Sequence, residues 1–213
     1  MPRLADEIYG RLRDDILDGK FPPGYRLAVP SLAEHLKVSR SPVREAVQRL
    51  ASDRLAWEKP GRGAIVAQIG LSELVALYEV REVLEGLVAR LAVERSGQQF
   101  VRSLGRVLNR HRVAVGNNDL PGHFEADAEF HATIRRASKN ADAVRMLDQI
   151  QAQVRLAMRT TATSAGPEHA LADHVSIFEA IRRGDAEGAE LLARRHVARL
   201  RAVLEHEIDS YAP

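Results

Sequence analysis

Four residues in the second half of the chain have the types and spacing of a metal site. Asp127 and His131 lie four positions apart, so on a helix their side chains emerge one turn apart on the same face. His174 and His196 are too far apart to share one helix face, and Gly184 marks a turn between the two helices that would carry them. Three imidazoles and a carboxylate suit a borderline divalent cation, with zinc as the first choice and nickel or manganese as alternatives.

The two later histidines are predicted to point into a hydrophobic core. His174 lies at helical offsets from Ile177 and Ile181, and His196 follows Leu192 by one turn. A buried imidazole without a partner is costly, and metal ligation would remove that cost. The remaining members of the eight histidines are interpreted as ordinary surface or core residues: His35, His111, His123, His169 and His206.

A helical domain would hold these ligands. Apolar residues recur at helical spacing from Leu71 nearly to the end of the chain, and the pattern predicts helices near 71–96, 98–117, 121–138, 141–162, 167–183 and 186–209. Asp185 is placed to cap the last of these helices after the Gly184 turn. Neither a long apolar run nor a cysteine is present, and the N-terminus lacks an apolar signal segment, so we expect a cytoplasmic protein without a membrane span.

The first 69 residues have the pattern of a DNA-binding module. We predict a first helix that ends at Gly19, a second helix from Ser31 to Lys37, and a third helix capped by Ser39 with Pro42 in its first turn. Residues 55–60 and 64–69 are predicted strands on either side of a glycine-rich turn. Residues 1–69 carry 12 Lys+Arg against 9 Asp+Glu, whereas residues 70–213 carry 19 against 20, so the positive charge lies with this module.

These segments resemble the winged helix-turn-helix of GntR-family transcriptional regulators. The resemblance is carried by LRDDILDGKFPPGYRL, LAEHLKVSRSPVREAVQRL and PGRGAIV, which occur in the order that the family has them. It implies that basic and small polar residues of the third helix and the wing contact DNA bases, phosphates or the minor groove. The implied DNA-binding residues are Arg26, Ser39, Arg40, Ser41, Arg44, Gly61, Arg62 and Gly63. Two departures are Val29-Pro30, where the family has polar residues, and Arg54, where it commonly has a glycine.

The second half resembles the FCD ligand-binding domain of the FadR subfamily. YEVREVLEGLVARLA, DAEFH, DHVSIFEAIRRGDAEGA and RRHV carry this resemblance. It implies that Asp127, His131, His174 and His196 bind one metal ion. It also implies that Arg81 points to the cavity and holds an effector carboxylate in a bidentate manner. The alternative for Arg81 is an ordinary ion pair with the residue four positions later, Glu85.

Together the two halves predict a mainly α protein, with a winged helix-turn-helix at residues 1–69 and an all-helical domain for ligand binding and dimerisation at 70–213. We expect a homodimeric repressor that binds a pseudo-palindromic operator in double-stranded DNA. A small carboxylate effector bound at the metal would control its affinity for the operator. The alternatives are a metal-dependent hydrolase and a regulator that responds to the metal alone. No general base of the H-E-x-x-H kind is present, and Glu129 would point away from the Asp127–His131 face, which argues against an enzyme.

Overall fold

The computed structural model describes residues 3–59, 63–158 and 166–211. They divide into two compact units. The first contains the chain up to Leu71 and a segment that begins at Gln149, and the second contains Ser72–Asp148 and the last two helices. The segment from Gln149, which the sequence analysis assigned to the C-terminal domain, therefore groups with the first unit.

The first unit combines three helices with a small antiparallel sheet. The helices are α1 (Leu4–Leu17), α2 (Val29–Leu36) and α3 (Arg40–Ser52), and the strands are β1 (Arg26–Leu27), β2 (Ala56–Lys59) and β3 (Gly63–Val66), in the sheet order β1-β3-β2. The two predicted wing strands are confirmed, whereas β1 was not predicted. A strand of two residues has no periodicity of its own, and β1 is defined only by its pairing with β3.

Both departures from the family pattern have a local structural outcome. The second helix begins at Val29 rather than at the predicted Ser31, because Pro30 occupies its first turn, where a missing N–H breaks no helical hydrogen bond. Arg54 adopts a left-handed backbone with φ of 57°. The family's usual glycine adopts this conformation without the steric cost that a Cβ brings, so the arginine stores some strain at the entry to the wing.

The segment of the first unit that follows Gln149 is held by polar contacts. Gln149 Nε2 donates a hydrogen bond of 2.7 Å to Asp53, which also accepts a hydrogen bond from the hydroxyl of Tyr9. Arg155 lies 3.9 Å from Asp18. Asp53 thus joins α1 to the end of α3 and to this later segment.

The second unit is built from long helices. They are α4 (Leu71–Arg95), α5 (Gln98–Gly116), α6 (Leu120–Ala137), α7 (Ala141–Ala157), α8 (Pro167–Arg182) and α9 (Ala186–Tyr211), of which α7 passes into the first unit. The predicted helices are confirmed, with ends that differ by one or two residues, except that α7 ends at Ala157. The rest of the predicted 141–162 helix lies largely outside the described residues.

The turn between α8 and α9 has the predicted capping residues. Gly184 has φ of 75°, the left-handed conformation that a residue just after a helix favours. Asp185 accepts a hydrogen bond of 2.8 Å from the backbone N–H of Gly188 in the first turn of α9. This turn sets the spacing between His174 and His196.

The apolar core of the second unit lies beside the predicted ligands. Phe130 is fully buried and belongs to a cluster with residues such as Leu104, Val88 and Ile177. Its ring stacks on that of His174 with centroids 4.1 Å apart. Among the described residues, none of the helices is both long and apolar enough to cross a membrane.

Candidate functional site

The predicted DNA-contacting residues of α3 lie on its exposed face. Ser39, at the N-cap position, and Arg40, Ser41 and Arg44 are all exposed. The opposite face carries the buried residues Val43, Ala46, Val47 and Leu50. The side chain of Ser39 makes no capping hydrogen bond, which differs from the capping role predicted for it. The start of the helix thus presents two guanidinium groups and two hydroxyls to solvent.

The wing is described in part. Arg26 is exposed on β1, where it pairs with Ile65 of β3. Gly63 begins β3 with φ of 75°, a backbone conformation that glycine adopts without strain. Gly61 and Arg62, which the sequence places at the tip of the wing, lie outside the described residues.

Three of the four predicted metal ligands converge in the second unit. His131 comes from α6, His174 from α8 and His196 from α9. Each offers a ligand atom within 4.8 Å of those of the other two, and all three side chains are buried. The ring centroids are 5.0 to 5.3 Å apart. The three imidazoles therefore surround one small volume.

The fourth predicted ligand, Asp127, lies at the edge of this group. Its Oδ1 is 3.6 Å from Nε2 of His174, and its side chain is 32% exposed. Because it precedes His131 by one helical turn, it is on the same side of α6. A carboxylate in this position is available to a cation from the more open side of the site.

The far nitrogen of each imidazole has a polar neighbour. His196 Nδ1 lies 2.9 Å from a carboxylate oxygen of Asp173, and His131 Nδ1 lies 3.7 Å from one of Glu85. His174 Nδ1 lies 3.2 Å from Nδ1 of His111. Such outer partners select the tautomer and orient the ring of a metal-binding histidine.

The near nitrogens of two of these histidines are buried and unsatisfied. In the described part of the chain, Nε2 of His131 and Nε2 of His174 have no hydrogen-bond partner. Leaving buried polar atoms unpaired costs free energy, and a cation at the centre of the three rings would remove this cost. The residues present therefore fit a divalent metal.

Burial keeps the site in the form that binds a cation. Burial lowers the pKa of His174 well below its usual value, and neighbouring His131 and His196 lower it further. Burial also lowers the pKa of His196, against the opposing effect of its hydrogen bond to Asp173. Both rings are therefore neutral near pH 7 and present a lone pair, which metal ligation requires.

A buried charge cluster adjoins the site. Glu85 is hydrogen-bonded to Arg135 of α6 and lies 3.6 Å from Nε of Arg81. Burial would raise the pKa of Glu85, but the neighbouring side chains of Arg135, His131 and Arg81 outweigh it and hold the pKa well below the usual value. The predicted Arg81–Glu85 pair is thus present, and Arg81 is only 5% exposed.

The sequence analysis missed several participants. His111 and His123 were interpreted as ordinary residues, yet His111 contacts both His174 and His123 in the buried interior. A signal was available for His123, because it precedes Asp127 and His131 at four-residue spacing on one face of α6. His111 gave no such signal, since only packing between α5 and α8 brings it to His174.

The comparisons with known proteins agree with this architecture. The model of the FCD domain matches residues 76–199, and that of bacterial regulatory proteins of the gntR family matches residues 4–66. The HTH-type transcriptional repressor RspR of Escherichia coli (strain K12) is 28% identical over 195 residues, which cover 91% of this chain and 86% of the repressor. The galactonate operon transcriptional repressor of the same strain is 28% identical over 216 residues, covering 91% and 93%.

The solved structure of E. coli McbR/YncC has the same fold, with a TM-score of 0.75 at 24% identity, and the match covers 98% of this chain and 100% of that one. These relatives regulate transcription, which decides against the hydrolase alternative. The chain therefore belongs to the GntR family of bacterial transcriptional regulators, carries an FCD domain in its C-terminal half, and is a regulator rather than an enzyme.

Proposed function

We propose that this protein is a homodimeric repressor whose affinity for its operator is controlled by a small carboxylate bound at a metal ion. The observation that carries the proposal is the convergence of three buried imidazoles, two of which have an Nε2 without a hydrogen-bond partner among the described residues. The protein would act in the cytoplasm on a pseudo-palindromic site, with one α3 helix from each protomer in successive major grooves.

The DNA-binding role is assigned to the exposed start of α3 and to the wing. Arg40 and Arg44 would contact base edges or phosphates, and Ser39 and Ser41 would contact the backbone. Arg26 and the wing residues Gly61, Arg62 and Gly63 would add contacts to phosphates or to the minor groove. Support comes from the exposure of the described members of this set, since a base contact requires a side chain that is not engaged in the core.

The metal would be held by His131, His174 and His196, with Asp127 as the fourth ligand. Zinc is the first choice for this set of nitrogen and oxygen donors, with nickel or manganese as alternatives. When bound, the cation would supply a positive centre that accepts an anionic oxygen of the effector. Asp173 and Glu85 would orient two of the rings through their Nδ1 atoms.

The effector is proposed to be a carboxylate because cationic groups surround the site. Arg81 and Arg135 are both buried next to the metal ligands, and within the described residues the Nε of each lacks a hydrogen-bond partner. The positive charges of these two arginines and of a divalent cation together exceed the single negative charge of the buried Glu85. The name of the galactonate operon repressor, a relative of this chain, is in keeping with this class of ligand.

A regulator that responds to the metal alone is a second candidate. It is favoured by the contact of Arg81 with Glu85, because an effector carboxylate would have to compete with a carboxylate that the protein already holds in place. In this case, metal binding itself would change the operator affinity. The two candidates differ in whether an organic acid has any effect on the metal-loaded protein.

The metal site is tested by elemental analysis of purified protein. We expect His174→Ala and His196→Ala to lose stoichiometric metal, whereas His35→Ala, which replaces an exposed histidine on α2, should keep it. Retention of stoichiometric metal by either site variant would contradict the ligand assignment.

The effector is tested by measuring operator affinity of zinc-loaded protein with a panel of small organic acids that includes galactonate. A carboxylate effector should change the affinity by about 5- to 150-fold, the range of ordinary allosteric coupling. Arg81→Ala should abolish the response, and Arg90→Ala, which removes an exposed arginine from the same helix, should not. A response to zinc with none to any acid would favour the metal-responsive candidate.

A further inference from the structure

A chain of imidazoles extends from the proposed metal site through two histidines that the site does not use. Nδ1 of His111 lies 3.2 Å from Nδ1 of His174, and Nε2 of His111 lies 2.7 Å from Nδ1 of His123. His111 is fully buried and His123 is 5% exposed. Both distances are those of hydrogen bonds, so each pair must consist of one N–H and one lone pair.

We propose that His111 is the positioning residue of the metal ligand His174, and that His123 in turn orients His111. This inference rests on the proposed function, because it takes Nε2 of His174 as the atom that faces the cation. That nitrogen must then carry a lone pair, so the ring keeps its proton on Nδ1 and donates it to Nδ1 of His111.

The direction of the first hydrogen bond determines the second. Because Nδ1 of His111 accepts, its proton is on Nε2, which donates to Nδ1 of His123. The proton of His123 is then on its own Nε2. Each of the three rings then has one defined tautomer. His123 also lines a cavity of about 260 Å³, together with Asp119 and Glu168. The N–H on Nε2 of His123, the last in this series of imidazoles, can find a polar partner in that cavity.

The neutral partner of His174 differs from those of the other two ligands. His131 and His196 face the carboxylates of Glu85 and Asp173. A carboxylate that accepts a hydrogen bond from a ligand histidine raises the basicity of that histidine and adds negative charge. A neutral imidazole accepts the same hydrogen bond through one ring nitrogen and adds no charge. His111 therefore orients His174 without reducing the positive charge that an anionic effector would meet.

The proposal is tested by the zinc affinity of the full-length protein in competition with a chelator. His111→Phe removes the acceptor, and we expect the Kd for zinc to rise by about 10- to 100-fold. His111→Asn places a carbonyl oxygen near the former Nδ1, and this substitution should restore most of the affinity. Leu108→Ala is the matched control, because it shortens a buried apolar side chain of the same helix and keeps every histidine; its zinc Kd should stay at the parent value.

The tautomers are measured independently by long-range ¹⁵N–¹H correlation spectra of the zinc-loaded parent protein. Neutral rings with the proton on Nε2 are expected for His111 and His123, and a proton on Nδ1 of His111 would overturn the proposal. This measurement does not depend on whether a variant folds. An unchanged zinc Kd in His111→Phe would also overturn it.

His174→Ala separates this inference from the proposed function. If that variant binds zinc as well as the parent does, the metal site itself is wrong. If it loses zinc while His111→Phe keeps the parent affinity, the metal site stands and only the positioning role of His111 fails.

Discussion

The two units place their functional side chains in opposite environments. In the first unit, Arg40 and Arg44 are exposed, and the core beneath them is apolar. In the second, His174, His196 and Glu85 are almost completely buried, and they interrupt the core with groups that need polar partners. The first unit can therefore lose a functional residue without losing stability, whereas in the second unit function and stability depend on the same contacts.

The largest expected effect is on the buried charge cluster of the second unit. Glu85→Gln removes the buried carboxylate that contacts both Arg81 and Arg135, and it leaves Arg135 with only the exposed carboxylate of Asp148, 3.6 Å away. We expect the free energy of unfolding to fall by about 3–5 kcal/mol. Urea denaturation of the metal-free protein measures this change.

The control for this change is Glu179→Gln, which breaks the exposed pair with Arg182 on α8. It should alter the free energy of unfolding by less than about 1 kcal/mol. Equal effects of the two substitutions would remove the contrast between buried and exposed charges.

Arg44, an exposed residue of α3, should affect DNA binding and leave the stability of the protein unchanged. Arg44→Ala is expected to weaken operator binding by about 1–3 kcal/mol and to relax sequence preference, because it removes a contact with the DNA. Its free energy of unfolding should match that of the parent, since the side chain is exposed. Fluorescence anisotropy with operator and unrelated duplexes measures the first effect, and Arg182→Ala is the control with the same change in charge.

An unchanged operator affinity of Arg44→Ala would exclude this residue from the interface. A loss of stability would show instead that exposed residues of the first unit support its fold.

Acidification should destabilise the metal-free second unit. Burial lowers the pKa of His174, His196 and His111 below the usual value of 6.5, so the unfolded chain takes up protons first as the pH falls. Their contribution to stability is complete above pH 6.5 and declines below it, by at most about 1.4 kcal/mol per pH unit for each group. Denaturation curves between pH 7.5 and 5, at about 0.15 M salt, measure the decline; a stability that rose on acidification would contradict it.

The smallest effect is expected for a polar contact of the first unit. Tyr9 donates a hydrogen bond to Asp53. Burial, as the larger cause, and this hydrogen bond, as the second, raise the pKa of Tyr9 to about 12. The unfolded chain therefore loses this proton first, and the stability supplied by the neutral hydroxyl declines as the pH rises above 10.

Tyr9→Phe should cost about 1 kcal/mol at pH 7, the net value of one such hydrogen bond. The difference between variant and parent should shrink at alkaline pH, as measured by denaturant unfolding. A difference that stayed constant up to pH 12 would show that folding does not raise the pKa of this hydroxyl.

The sequence alone determined the helices, the wing and three of the histidines that meet at one point. These features depend on local rules: apolar spacing selects the helix face, Gly184 and Asp185 end one helix and begin the next, and the PPG turn precedes the second helix. The position of β1 was missed because a two-residue strand exists only through its partner.

Only the tertiary structure decided which groups surround these histidines. Glu85 meets Arg135 across 50 positions of sequence, and His111 meets His174 across 63. No local pattern encodes such pairs, because they form only where helices pack side by side and exclude water. Burial then made these contacts matter, since a polar group without solvent must find its partner within the protein.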